Sequence, residues 1–222
     1  MGLFERYRKP SDLPSQIPVF PLSGALLLPR ADLPLNIFEP RYLAMVDAAM
    51  AADRIIGMIQ PLGIDEDGDR PDLMRIGCAG RISSYAETPD DRVLISLTGI
   101  SRFEIVEEVD VDTPYRQVLA DYRPFEVDFV TDGGANEVNR PALLKAFRDY
   151  LDANNMSADW QEVDEASTEV LVNTLSLLAP YPPQDKQALL EAPDLKTRAD
   201  VLVALTEVAL RRMVPGSGTR LQ

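Results

Sequence analysis

Among its 222 residues the sequence has no histidine. That removes the usual general base, the imidazole of Ser-His and Cys-His pairs, and the commonest transition-metal ligand. It has a single cysteine, Cys78, in the apolar stretch IGCAG. One cysteine makes neither an intramolecular disulfide nor a thiolate metal site, and its surroundings read as a buried small hydrophobe. No apolar run approaches the ~18 residues of a membrane-spanning helix. The opening MGLFERYRKPSDLPSQ lacks the apolar core of a signal peptide, so a cytoplasmic location is expected. Lysine is scarce, limited to Lys9, Lys145, Lys186 and Lys196, and no basic run is longer than Arg211–Arg212. With a formal net charge of -14, neither nucleic acid nor an anionic membrane surface is an expected partner.

Motifs that chemistry would demand are missing too. There is no G-x-x-x-x-G-K-[ST], no G-x-G-x-x-G, no G-x-S-x-G and no H-E-x-x-H. Asp65, Asp67 and Asp69 have the alternate spacing of a calcium loop, but Arg70 stands where that loop needs glycine and Ile76 where it needs glutamate. The segment reads as a solvated acidic loop. A Ser-Lys nucleophile needs no histidine, but Lys9 lies in the N-terminal arm and the other three sit on polar helical faces. No catalytic residue, metal ligand or cofactor site is expected.

What is present is a division in pattern. Residues 1–16 read as a flexible arm. From Ile17 to about residue 124, short apolar runs alternate with turns: IPVFPL, ALLLP, LPLNIF, RIIGMIQP, MRIGCAGRISSYAE, DRVLISLTG, ISRFEIVEEVDV and YRQVLADYRPF. Evenly spaced short strands predict a closed or folded-over sheet. One helix interrupts them over 40–52, opened by Pro40 and carrying Leu43, Val46, Ala49 and Met50 at helical spacing. Residues 125–136, with Gly133-Gly134, read as a linker. Helices then fill 137–214. One opens at Pro141, one is capped by Ser157 and runs on to Leu178, a short one opens at Pro183, and the last is capped by Asp194. Residues 215–222 read as a disordered tail.

The stretches IPVFPLSGALLLPRADLPLNIFEPRY, RIGCAGRI and LTGISRF, followed by DKQALLEAPDLKTRADVLVALTE, resemble the amino-terminal domain of the ATP-dependent Lon proteases in combination and order. The resemblance spans residues 17–213 and stops before the ATPase and Ser-Lys peptidase modules of that family, so no catalytic residue carries over. It implies an α+β fold, a PUA-like β-barrel followed by a C-terminal α-helical bundle. It also implies a non-catalytic module that binds unfolded or extended polypeptide, an adaptor or modulator of proteolysis with a protease as partner, present as a monomer or weak homo-oligomer. A small-ligand or RNA-binding role is the alternative that PUA-like folds suggest.

Val19, Phe20, Ile37 and Phe38 are expected in the barrel core, with Pro18, Pro21, Pro29 and Pro34 at edges and corners. Leu27, Leu28, Leu33 and Leu35 are the candidate polypeptide contacts. A small barrel cannot bury all four, so they either form an exposed apolar site beside a strand edge or pack under the helical part.

Overall fold

Strand β3 (Ile55–Ile59) is buried at every position, so something covers both its faces. The computed structural model, which describes residues 3–62 and 71–213, shows what does. β3 pairs in parallel with β1 (Gln16–Pro21) and antiparallel with β4 (Ile76–Glu87). β4 pairs antiparallel with β5 (Val93–Val109). The first part of β5 pairs antiparallel with β2 (Asp32–Ile37) and its last part with β6 (Gln117–Asp121). β6 returns to β1, Ile17 facing Val118. The pairings β1-β3-β4-β5-β6-β1 therefore form a closed circuit of strands, with β2 attached to the outside of β5. β5 serves three neighbours because it is 17 residues long. Register shifts at Ile105/Glu107 toward β6, and at Ala79/Gly80 and Ile82/Ser84 toward β4, mark where it bends.

One core cluster draws on all five strands of the circuit: Ile17 and Val19, Ile55 and Ile59, Ala79, Ile100 and Phe103, Val118 and Ala120. Gly57 admits the Phe103 ring, since a Cβ there would sit 2.9 Å from its Cζ. Tyr7 and Leu13 join this cluster. Residues 5–15, expected as part of a flexible arm, are instead anchored, because Ala120 N–H donates to the Ser15 carbonyl and Tyr122 hydroxyl to that of Pro14.

A second cluster lies between the sheet and the helices. It joins Phe20, Leu26, Leu27, Leu28, Ile37, Met58 and Leu97 to Tyr42, Met45 and Val46 of α2 (Pro40–Ala51) and to the C-terminal helices. These helices are α3 (Arg140–Ala153), α4 (Trp160–Glu165), α5 (Thr168–Leu178), α6 (Pro183–Glu191) and α7 (Leu195–Met213). The long helix expected from Ser157 to Leu178 is two. Asp159 caps α4, its carboxylate accepting from the Gln161 and Glu162 N–H groups. Ser167 caps α5 through the Val170 N–H. Two side chains that bind free N–H groups this close together start a helix twice. The 125–136 linker is packed as well: Phe125 and Asp128 are buried in the 3-10 turns of Arg123–Phe129.

Buried polar groups join the halves. Arg102 of β5 is 1% exposed. Its Nε and Nη2 donate to the two carboxylate oxygens of Asp128 at 2.9 and 2.8 Å, and its Nη1 to the carbonyls of Leu190 and Ala192 at the C-terminal end of α6. Arg198 of α7, also buried, donates to the Leu189 carbonyl and to Asn173, which itself donates to the Pro29 carbonyl. Arg30 reaches Glu169 at 2.8 Å. Gln60 donates to Pro183 and Gln187, and Gln187 to the Ile76 carbonyl. Each such group costs several kcal/mol if left alone in the interior, so together they fix one docking geometry.

Candidate functional site

The predicted contact leucines do not form one surface. Residues 25–28, expected as a strand, adopt none, and Leu27 and Leu28 are buried at 1% and 0% exposure. The reason is main-chain. Arg30 N–H donates to the Gly99 carbonyl and Gly99 N–H to that of Ala31, which draws the loop onto β5. A Cβ at residue 99 would stand 2.0 Å from the Leu28 oxygen, so only glycine permits the approach. Helix α5 then covers the loop through Leu171, Val172 and Asn173. Leu33 and Leu35 lie on β2, half-buried against the same cluster, while Asp32, Pro34 and Asn36 face out. Among the described strands β2 has a neighbour on one side only. Phe38, expected in the core, is exposed beyond the end of β2, with Arg92 over its ring.

Other sequence candidates resolve as follows. Asp65, Asp67 and Asp69 lie outside the described residues. Among the described residues no group of acidic or cysteine side chains could hold a metal ion, and no helix is long and apolar enough to cross a membrane. Lys145 and Lys196 pair with Asp149 and Asp200 one turn on, and burial pushes the Lys186 amine below the usual lysine range. Burial pushes the Cys78 thiol far up, where it is not a nucleophile.

One feature with room for a partner is an apolar groove in the helical half. It lies between α3, α5 and the middle of α7, with a volume of ≈ 430 Å³. Leu143, Phe147, Leu175 and Leu202 belong to its lining, and Met156 and Leu178, 55% and 74% exposed, stand on it. Within it the Tyr181 hydroxyl lies 2.7 Å from Thr206 Oγ1, which donates to the Leu202 carbonyl. Burial raises the Tyr181 phenol above its ordinary range, so it stays neutral.

Local sequence explains how the groove opens. Asn155 ends α3 in a left-handed conformation (φ 53), which turns the chain so that Met156 N–H bonds back to the Leu151 carbonyl. The rings of Phe147 and Trp160 meet at a 59° tilt with centroids 6.0 Å apart, with Arg148 over the indole, and this holds α4 against α3. Arg140 binds the carbonyls of Val163, Asp164 and Ala166, which finishes α4. At the far side, the prolines of APYPPQ stop α5 just past Leu178, so that side chain has no following turn to cover it. The arrangement supplies apolar contact and shape and carries no group suited to bond-breaking chemistry.

A six-stranded sheet, five of its strands in a closed circuit, with helices packed on it can be compared with known proteins. A family model, the ATP-dependent protease La (LON) substrate-binding domain, matches residues 16–207. The chain belongs to that family. It is 28% identical over 203 residues to Lon protease 2 of Myxococcus xanthus, covering 87% of this chain and 24% of that one. It is 27% identical over 209 residues to the Lon protease of Flavobacterium johnsoniae, covering 91% and 25%. The chain thus spans about a quarter of the length of these relatives. In fold it is similar to a Lon N-terminal domain protein from Xanthomonas campestris (TM-score 0.59, 21% identity, 85% of this chain and 97% of that one). It is also similar to the N-terminal domain of the Mycobacterium avium complex Lon protease (TM-score 0.63, 17% identity, 86% and 98%). The mixed α+β fold of the LON substrate-binding family is therefore the fold of this chain.

Proposed function

We propose that the protein is a non-catalytic recognition module for unfolded or extended polypeptide, and that the helical groove receives its apolar side chains. The observation that carries this reading is the ≈ 430 Å³ apolar groove with Met156 and Leu178 exposed on it, in a chain of a substrate-binding family. A groove of this size takes two or three large side chains, and exposed aliphatic groups around an apolar cavity mark interaction surfaces. The open side of β2 is a secondary contact through its main chain, since Leu33 and Leu35 face inward.

The same reading takes the strand circuit as a PUA-like β-barrel over 17–124 and the helices as a C-terminal bundle over 137–214. It takes the protein as a cytoplasmic adaptor or modulator of proteolysis, monomeric or weakly self-associating. RNA fits poorly with a net charge of -14, and no RNA binding tighter than ~100 µM is expected.

The test is fluorescence anisotropy with reduced, alkylated casein, for the wild type and Leu178→Asp. Saturable binding that the variant loses while its thermal melt is unchanged supports the reading. Absence of binding by the wild type, or full binding by the folded variant, overturns it.

A further inference from the structure

One wall of the groove is built differently from the rest. Met156, Ser157 and Ala158 line it on the segment that leads from α3 into α4. The helices α3, α5 and α7 bury side chains along their length, but α4 buries none, and Val163 and Ala166 are only partly covered. Contacts with α3 hold the segment. Trp160, the one tryptophan of the chain, rests on Phe147 and under Arg148. Arg140 donates to the Val163, Asp164 and Ala166 carbonyls. Each end is a joint. Asn155 stands in the left-handed conformation (φ 53), and Ala166 and Ser167 are extended between α4 and α5. Short non-helical positions of this kind absorb the dihedral changes of a hinged motion.

We propose that residues 156–166 form a movable wall, hinged at Asn155 and at Ala166–Ser167, that shifts as a unit to fit the apolar side chains entering the groove. This rests on the reading of the groove as a polypeptide site and adds how one site takes side chains of different shape. A segment with few buried apolar contacts opens at a small fraction of the free energy that unfolds the whole domain. Moving this one exposes little apolar area, because α4 contributes no buried side chain. Phe147 couples wall to groove. It belongs to the lining and also meets the Trp160 ring, so an entering side chain that displaces Phe147 disturbs the hold on α4. Met156, unbranched and 55% exposed, refills the rim in whichever rotamer the occupant leaves open. An unfolded chain presents its apolar side chains in no fixed order, and adaptable surface is how promiscuous binders meet that demand.

Hydrogen exchange on the full chain, read by mass spectrometry, tests the motion with no ligand present. Amides of 159–166 are expected to exchange about 100-fold faster than those of 171–176 in α5. Arg140→Met should speed the exchange of 159–166 about tenfold further and leave 171–176 and α7 unchanged, since most of the bonds it removes belong to this segment. A tryptophan-free peptide with a Leu- and Phe-rich core should shift the Trp160 emission, with the same midpoint as the anisotropy of its fluorescein-labelled form. Protection of 159–166 equal to that of α5 overturns the movable wall, and exchange in the wild type decides this even where Arg140→Met does not fold. Equal acceleration of 159–166, α5 and α7 by Arg140→Met overturns it as well, because α4 then opens only with the whole domain. So does a peptide that binds the wild type, is lost by Leu178→Asp, and leaves both the Trp160 emission and the exchange of 159–166 unmoved; the polypeptide site then stands with a rigid wall. Failure of the peptide to bind the wild type overturns the polypeptide site itself, and the proposal falls with it.

Discussion

Replacing Arg102 by methionine removes the side chain on which both halves converge. Met has a similar length and fills the space beside Phe125, over which the guanidinium now stacks at 4.7 Å. The loss is therefore one of charge and hydrogen bonds more than of volume. Asp128, whose side chain is 5% exposed, keeps a single bond from the residue-102 main-chain N–H at 2.9 Å. The carbonyls of Leu190 and Ala192 lose their donor. Stranding one partner of a buried ion pair costs about 3–5 kcal/mol. Each orphaned carbonyl adds up to about 1–3 kcal/mol, less whatever water then reaches it. A loss of about 4 kcal/mol is a large share of the ~5–15 kcal/mol that holds a typical domain together. In a urea titration, with a slope near ~2 kcal/mol per molar, the midpoint should fall by about 2 M. The double variant Arg102→Met with Asp128→Leu removes the stranded carboxylate and should recover to within about 1–2 kcal/mol of the wild type. A single-variant shift below ~0.5 M would refute the reasoning. So would a double variant no more stable than the single one, because the loss would then come from packing around the α6–α7 connection.

Leu28→Asp places a carboxylate in a fully buried site and should collapse the thermal melt, by several kcal/mol or more, whereas Leu178→Asp, at an exposed site, should move stability by no more than ~0.5 kcal/mol. Cys78 should resist a thiol reagent such as DTNB in native buffer at pH 8 and react fully in denaturant, because burial raises its thiol pKa; fast labelling of the native protein would contradict its placement. Asp194 caps α7, accepting from the Thr197 N–H at 2.7 Å, and this holds its carboxyl below the ordinary range. Its contribution is thus present above the unfolded carboxyl pKa of ~3.9 and is lost as pH falls through the lower folded value. Asp194→Ala should therefore flatten the acid limb of a stability-against-pH curve, and an unchanged limb would count against the cap.

The strands were largely legible because Val, Ile and Phe recur at alternate positions within them, as in Phe103 and Ile105, with Val106 turned outward and exposed. The helix over residues 40–52 was legible from Pro40 and its apolar spacing, and it ends one residue earlier, at Ala51. Leu26, Leu27 and Leu28 misled because a run of leucines looks the same whether a strand or a docked loop buries it. What decides is Gly99, some 70 residues away, which lets the loop backbone approach. Nothing in ISRFEI marks Arg102 as buried; its burial depends on Asp128 and on carbonyls near residue 190, none of them local. The groove was hidden for a similar reason. Leu178 continues the buried stripe of α5 by spacing, and only the position of the neighbouring helices leaves it uncovered. Sequence periodicity reports which face is apolar and does not report whether a neighbour covers it.

The closure of the strand circuit sets an order of events during synthesis. β1 can pair with β3 once residue 59 is made, but its other side waits for β6, some 100 residues after it begins. At ~5–20 residues per second that is about 5–20 s in which β1 presents a bare edge to any other chain on the ribosome. Pro21 stands within that strand, on the side of Val19, whose N–H donates to the Arg116 carbonyl beside β6. A proline offers no donor to a stray strand and resists extension of a mispaired ladder. Pro21, which makes this part of the sequence look unlike a strand, thus takes one donor out of the edge that stays open until the last strand of the circuit emerges.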